Sequence, residues 1–186
     1  MRLISGSGSN AENIINYFKN DTENVVKIVF CNKPDAYVLE RAKRLSVPTF
    51  VFGREEFSRS DLVLNELKRL DIDLIVLAGF LWKVPDAIID AYPDRVINIH
   101  PALLPSYGGK GMYGMKVHEA VIAAGEKESG ITIHHVNNHY DEGAIIFQAK
   151  CEIVPGDTPE SLATKVHALE YEYFPRVIKE LLEKGL

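Results

Sequence analysis

The sequence has 186 residues, of which 46% are hydrophobic and 25% charged, and its formal net charge at pH 7 is -5. This length and composition predict one ordinary α/β domain over residues 1–186, large enough for a core and a pocket. An acidic balance argues against nucleic-acid binding, which needs a concentrated basic face. It still allows one phosphorylated small molecule, because backbone N–H groups bind phosphate.

Cysteine usage and hydropathy predict a cytoplasmic protein. The two cysteines, Cys31 and Cys151, lie far apart without metal-ligand spacing, as is typical of free thiols in a reducing compartment. The chain opens on a predicted strand and turn, so we expect no secretory signal peptide. The longest apolar stretch, Leu74 to Trp82, is too short to span a bilayer, so we expect no membrane partner.

The first half of the chain alternates short β-rich runs with helical patterns. The predicted strands are Leu3–Ser5, Val25–Cys31, Thr49–Phe52, Ile72–Ala78 and Val96–Ile99. The predicted helices are Ala11–Lys19, Tyr37–Leu45 and Asp61–Leu70. This alternation predicts a doubly wound, mostly parallel sheet with helices on both faces, which binds its ligands at the carboxyl ends of the strands.

The second half has a different pattern. Two predicted strands, Ile131–Val136 and Ala144–Ile153, are separated by a segment too short for a parallel crossover, so we expect an antiparallel C-terminal hairpin. The last helix is predicted to begin at Pro159, behind the capping residue Thr158, and to run to about Leu182.

A glycine-rich segment lies between the first predicted strand and the first predicted helix. Gly6, Gly8 and Ala11 match a dinucleotide-binding pattern that also needs an acidic residue after the second strand. No Asp or Glu stands there, so a nicotinamide cofactor is disfavoured. Two interpretations remain: Gly8, Ser9 and Asn10 bind a phosphate at the helix N-terminus, or the segment is only a tight turn with a Ser or Asn N-cap.

The segment Val96–Pro105 carries the strongest chemical signal. Because strand side chains alternate, Asn98 and His100 should point to one face at the rim where α/β sheets bind ligands. An amide donor and a proton-transferring imidazole together suit a tetrahedral intermediate, in which a carbonyl oxygen gains charge and a nitrogen exchanges protons. The alternative is that both residues only close the strand.

Asp141 stands just before the last predicted strand. A carboxylate close to an imidazole raises the imidazole pKa and orients the ring, which would complete an acid catalyst. An ordinary Asx-turn explains an Asp at this position equally well. The sequence alone does not place Asp141 beside His100.

Three histidines, His134, His135 and His139, form a local cluster. Alternation sends the first two to opposite faces, and the chain has no helical His motif, so we expect no metal site. Thr132 and His134 should share a face, and that face is a candidate lining for the pocket of Asn98.

Four blocks in a fixed order make the sequence similar to the folate-dependent formyltransferases over essentially the whole chain. They are Ser5-Gly6-Ser7-Gly8-Ser9-Asn10, Leu77-Ala78-Gly79-Phe80, Asn98-Ile99-His100-Pro101-Ala102-Leu103-Leu104-Pro105 and Tyr140-Asp141-Glu142-Gly143. The resemblance implies the formyltransferase fold and formyl transfer from 10-formyltetrahydrofolate to glycinamide ribonucleotide in de novo purine biosynthesis. It implies no metal, two small-molecule substrates as partners, and a monomer or homodimer.

The same resemblance implies roles for individual residues. Asn98 would be the oxyanion donor, His100 the acid and polariser, and Asp141 the group that sets the His pKa and organises a water. Substrate phosphate and ribose would be held by Gly8, Ser9, Asn10 and Glu170. Folate would be held by Arg59, Leu81, Trp82, Lys83, Val84, Asn137, Asn138, His139 and Tyr140. A cis peptide is implied at Leu104–Pro105.

Other interpretations fit less well. Methionyl-tRNA formyltransferases and formyltetrahydrofolate hydrolases carry an additional domain, which is not predicted here. Sugar-nucleotide formyltransferases need nucleotide contacts that the sequence does not reveal. A non-catalytic phosphate-binding module would leave Asn98, His100 and Asp141 without a role. The glycine-rich segment Tyr107–Gly114 is either a flexible flap over the pocket or a longer surface loop.

Overall fold

The structure, a computed structural model, describes residues 2–5, 8–59 and 61–185. The chain divides into two compact units. The first unit extends to Ile97 and includes the end of the chain from Ile178, and the second unit is Asn98–Val177. No helix in the described ranges is long and apolar enough to cross a membrane.

The first unit is built on parallel strands joined by helices. Its strands are β1 (Arg2–Ser5), β2 (Ile28–Cys31), β3 (Thr49–Val51) and β4 (Ile75–Ala78). Its helices are α1 (Ser9–Tyr17), α2 (Tyr37–Arg44), α3 (Arg54–Ser58), α4 (Leu62–Arg69) and α5 (Asp86–Ala91). The strands lie in the order β3-β2-β1-β4, and each neighbouring pair is parallel. The predicted α/β class is therefore confirmed.

The strand order reverses at β1. The chain moves outward from β1 through β2 to β3 and then returns to the other side of β1 with β4. Right-handed crossovers place α1 and α2 on one face and the helices between β3 and β4 on the other. Ligands of such folds bind at the carboxyl ends of the two strands beside the reversal, here β1 and β4.

Two strands of the first unit begin later than predicted. The sequence pattern predicts starts at Val25 and Ile72, whereas β2 begins at Ile28 and β4 at Ile75. Both of these residues pair with Arg2, the first residue of β1, so the described part of β1 offers no partner to the residues before them. Apolar character alone does not reveal where a neighbouring strand begins.

The second unit contains a helix, a hairpin and most of a long helix. Strand β5 (Val96–His100) passes into it from the first unit. It is followed by α6 (Met115–Ala123), β6 (Glu128–His135), β7 (Ile145–Glu152) and α7 (Pro159–Glu183). Strands β6 and β7 are antiparallel, which confirms the predicted hairpin. Helix α7 begins at Pro159, and Ser161 N–H donates to Thr158 Oγ1 at 3.3 Å, as the predicted cap requires.

The hairpin contains a bulge at His134. Ile133 lies opposite Phe147, but the next residue, His134, lies opposite Ile145, so β7 carries one extra residue, Ile146. A bulge bends a strand and re-aims the side chains beside it. The extra residue lies on β7, so the alternation along β6 that predicted the direction of His134 is not interrupted.

Candidate active site

Asn98, His100 and Asp141 come together in the second unit, although they lie far apart in the sequence. Asn98 and His100 lie within the last three residues of β5, and Asp141 lies in the turn between β6 and β7. His100 is 3% exposed, and its Nδ1 lies 3.6 Å from Asp141 Oδ2. One small polar atom beside this pair could therefore contact both His100 Nδ1 and Asp141 Oδ2.

The contact of Nε2, the second ring nitrogen, determines the tautomer of His100. Nε2 lies 2.7 Å from the carbonyl oxygen of Tyr107, and a carbonyl only accepts hydrogen bonds, so Nε2 carries the proton. In the neutral ring Nδ1 then has a free lone pair, and this nitrogen faces Asp141. His100 therefore presents a proton acceptor next to a carboxylate that would stabilise the protonated ring.

His134 is the second imidazole at Asp141. Its Nε2 lies 3.6 Å from Asp141 Oδ1 and 3.1 Å from Asn98 Nδ2, and its own side chain is buried. Each carboxylate oxygen thus faces a different histidine. The structure places His134 beside Asn98, as the shared-face argument anticipated.

The segment Tyr107–Gly109 holds both His100 and Asp141. Besides the Tyr107 carbonyl, the backbone N–H of Gly109 donates to Asp141 Oδ2 at 2.9 Å. A Cβ at Gly108 would lie 3.3 Å from Asp141 Cβ and would collide with Leu104 Cδ2 at 2.5 Å. The start of the glycine-rich segment is therefore bound to the site. Sequence reasoning missed these contacts because two of them come from backbone groups, which have no side-chain signal.

Burial and neighbouring groups determine the charge states of His100 and Asp141. Burial lowers the pKa of His100, although the Asp141 charge and the Tyr107 carbonyl act in the opposite direction. Burial alone would raise the pKa of Asp141, but the contact with His134, the charge of His100 and the Gly109 N–H outweigh it and lower that pKa. Near neutral pH the site therefore holds a neutral imidazole beside an ionised carboxylate.

Thr132 fixes the segment that follows His100. Its buried Oγ1 donates to the Ala102 carbonyl at 2.7 Å and accepts the Leu104 N–H at 2.9 Å. Gln148 Nε2 also donates to this oxygen at 2.9 Å. The peptide bond between Leu104 and Pro105 is cis, which confirms the implied isomer. One hydroxyl on β6 thus positions the loop between β5 and Tyr107.

Replacing Thr132 by Val should therefore destabilise the protein. Val has nearly the same shape, but it leaves the buried Ala102 carbonyl and Leu104 N–H without their partner. Each orphaned group costs roughly 1–3 kcal/mol, so we expect the free energy of unfolding to fall by about 3 kcal/mol. Urea unfolding measures this change. Thr164→Val is the matched control, because Thr164 is exposed and makes one local bond to the Glu160 carbonyl, so its effect should stay within about 0.5 kcal/mol. Equal effects of the two substitutions would contradict the scaffold role.

Glu170, the predicted ribose ligand, is buried on α7. It is 5% exposed, and His167 Nδ1 lies 2.9 Å from its Oε2. This hydrogen bond raises the pKa of His167. The Glu170 charge also acts on His100 and on the buried His118, whose pKa is lowered by burial. The Glu170 carboxylate therefore lies within electrostatic range of His100, the candidate catalytic histidine.

The predicted phosphate segment lies in the first unit. Gly8 is the N-cap of α1, so the alternative of a Ser or Asn N-cap is wrong, and Ser9 and Asn10 are the first residues of the helix. Gly8 has a φ of 89°, and a Cβ there would lie 2.6 Å from Val38 Cβ, so only glycine fits. The Gly6 part of the pattern, with Ser7, lies outside the described residues. Phosphate binding stays a prediction.

The predicted pterin segment Leu81–Val84 varies in exposure. Leu81 is exposed, Val84 is buried, and Lys83 pairs with Asp86 at 3.2 Å. The Trp82 ring lies 5.5 Å from the Arg54 guanidinium. Its ring also packs within about 6 Å of three phenylalanines, Phe52, Phe57 and Phe80. A cation and an apolar ring surface thus lie side by side at the carboxyl end of β4.

Arg59 lines a cavity in the first unit. The cavity has a volume of about 210 Å³, and its lining includes Phe57, Pro85 and Ile88. The Arg59 guanidinium is exposed and lies 3.6 Å from Glu55 Oε1. Pro85 directly follows the predicted pterin segment in the sequence, so the cavity is lined by Arg59 and by the residue next to that segment.

The remaining predicted folate residues, Asn137, Asn138, His139 and Tyr140, form the exposed turn before Asp141. Within the turn, the His139 N–H donates to Asn137 Oδ1 at 2.9 Å. Their side chains are accessible to a ligand, and their role stays a prediction. Among residues 2–5, 8–59 and 61–185, no group of three or more His, Cys, Asp or Glu is arranged to hold a metal ion.

Known proteins are similar to this chain in sequence and in fold. The family model described as formyl transferase matches residues 1–178. Phosphoribosylglycinamide formyltransferase from Haemophilus influenzae is 39% identical, over 99% of this chain and 87% of that one. The chloroplastic phosphoribosylglycinamide formyltransferase of Arabidopsis thaliana is 37% identical over 99% of this chain, which spans 65% of that relative's length. Glycinamide ribonucleotide transformylase 1 from Symbiobacterium toebii has a crystal structure that matches with a TM-score of 0.88, at 33% identity over 98% of this chain and 86% of that one. The predicted formyltransferase fold is thereby confirmed.

Proposed function

This chain belongs to the formyl transferase family, and we propose that it transfers the formyl group of 10-formyltetrahydrofolate to the amine of glycinamide ribonucleotide, a step of de novo purine biosynthesis. The observation that carries the proposal is that Asn98, His100 and Asp141 lie together and that the His100 imidazole is buried and neutral. An amide donor, a proton acceptor and a carboxylate are what acyl transfer between two nitrogens needs.

The proposed reaction is a direct transfer. A bond forms between the substrate amine and the formyl carbon, and the bond between that carbon and N10 of folate breaks. The Asn98 amide donates to the formyl oxygen while it carries negative charge. His100 Nδ1 takes the proton that the attacking nitrogen loses and returns it to N10, and Asp141 stabilises the ring while it is protonated. No covalent intermediate with the protein is needed.

We assign the binding of the two substrates to residues outside this centre. We assign the ribose hydroxyls to the buried Glu170 and the phosphate to the N-terminus of α1 at Gly8, Ser9 and Asn10. Folate is assigned to the pterin segment, to Arg59 and to the turn before Asp141. The proposal places the protein in the cytoplasm as a monomer or homodimer, with Cys31 and Cys151 as free thiols.

The test is an assay with purified protein, 10-formyltetrahydrofolate and glycinamide ribonucleotide, in which deformylated folate is followed by absorbance. Turnover that requires the amine substrate supports the proposal. Folate deformylation that does not depend on the amine indicates a hydrolase instead. Absence of turnover with both substrates contradicts the proposal and indicates a different acceptor or a binding module.

A further inference from the structure

His134 makes contacts that its place on β6 does not require. It is 2% exposed, and it lies between the Asn98 amide and Asp141. Its Nδ1 lies 2.8 Å from the His135 carbonyl oxygen, which only accepts, so Nδ1 carries the proton of the neutral ring. Nε2 is then an acceptor. Of the two groups near it, only the Asn98 amide can donate, because the Asp141 carboxylate oxygen, at 3.6 Å, only accepts.

This requirement determines the orientation of the Asn98 side chain. Only the NH₂ end of the amide can donate to His134 Nε2 across 3.1 Å. One N–H is used in this contact and the second stays available to a ligand. If the amide rotated by 180°, its oxygen would face His134 Nε2 and the two acceptors would repel each other. An oxygen in the donor's place would also repel a developing oxyanion.

The position of His134 is itself constrained by the hairpin. The bulge between β6 and β7 begins at this residue. A Cβ at Gly143 would collide with the His135 carbonyl oxygen and would lie 3.5 Å from His134 Nδ1. The absence of a side chain at Gly143 thus leaves room for the carbonyl that sets the tautomer of His134.

We propose that His134 is a positioning residue, whose Nε2 lone pair holds the Asn98 amide with its N–H groups as the donors available to the reacting carbonyl oxygen. This inference rests on the proposed function for the identity of that oxygen. The orientation of Asn98 is a property of the protein alone and can be measured without substrate.

The experiment compares His134→Leu with His134→Gln. Leu removes the acceptor, whereas Gln can place an amide oxygen near the position of Nε2. Loss of one oxyanion donor costs about 10²–10³ in kcat, so we expect His134→Leu to lose roughly 10²-fold in kcat with little change in KM. His134→Gln should recover most of that loss. His135→Gln is the matched control, because alternation along β6 points that side chain to the face opposite His134, and it should have wild-type kcat.

A second measurement separates the inference from the proposed function. Hydrogen exchange of the Asn98 side-chain NH₂, followed by NMR, should be slow in the wild type and in His134→Gln and faster in His134→Leu. Wild-type kcat or wild-type exchange in His134→Leu overturns the positioning role. If the wild type has no formyl transfer activity, the proposed function fails, and the exchange rates alone decide whether His134 holds Asn98.

Discussion

Replacing His100 by Ala is expected to lower kcat/KM for formyl transfer by about 10²–10⁴-fold, the usual contribution of a general acid–base group. The substitution removes the Nδ1 lone pair that faces Asp141, which is the acceptor that we assign to the proton of the attacking nitrogen. The substrates should still bind, because their predicted ligands lie elsewhere. Steady-state kinetics with both substrates, alongside His135→Ala, measures the effect.

A companion variant separates chemistry from loop structure. His100→Ala also deprives the Tyr107 carbonyl of its donor, and a disordered loop would lower activity as well. His100→Gln can place an amide N–H near the position of Nε2–H, but it cannot exchange a proton at neutral pH. We therefore expect His100→Gln to be as inactive as His100→Ala while retaining a wild-type melting temperature. Recovery of activity in His100→Gln would assign His100 to the support of the loop.

Replacing Asp141 by Asn is expected to lower kcat by roughly 10²-fold or more, because the protonated His100 loses its counter-charge. The Asp141 charge raises the pKa of His100, so its removal must lower that pKa further below the usual value. The His100 ring then holds a transferred proton less readily. The kinetic loss should be accompanied by a downward shift of the His100 titration, followed by NMR.

The Asp141→Asn variant should fold normally. Asn also tolerates the left-handed backbone at this position, where φ is 58°, and its side-chain oxygen can accept the Gly109 N–H. Glu142→Gln removes the adjacent exposed carboxylate and serves as the control, with kcat near that of the wild type. An Asp141→Asn enzyme with activity within about threefold of the wild type would exclude Asp141 from the proton-transfer step.

The strand alternation around Asn98 was enough to select Asn98 and His100 as the candidate catalytic side chains of β5. It anticipated that His134 lies near Asn98, but it was not enough to place Asp141 beside His100. Asp141 reaches His100 through a turn in a left-handed conformation, and His134 reaches Asn98 at a bulge. Both features depend on the pairing of β6 with β7, which a one-dimensional pattern does not specify.

The helices missed in the first half have a different explanation. Helices α3 (Arg54–Ser58) and α5 (Asp86–Ala91) are about one to two turns long. Elements this short do not repeat an apolar position often enough to produce a helical period. The long helix α7 was instead predicted from its capping residue Thr158 and from Pro159 at its first position. Roles assigned through resemblance alone, among them folate binding by Trp82, depend on ligand contacts and therefore stay predictions.

The hydrogen bond from the Gly109 N–H to Asp141 provides a probe of the order of this site. The same loop supplies the carbonyl of Tyr107 to His100, so a movement of this loop would release both His100 and Asp141 and would expose one identifiable amide proton to solvent. The exchange of that proton counts how often the centre disassembles in the resting protein. A single backbone resonance thus reports the fraction of time for which His100 and Asp141 are held by this loop.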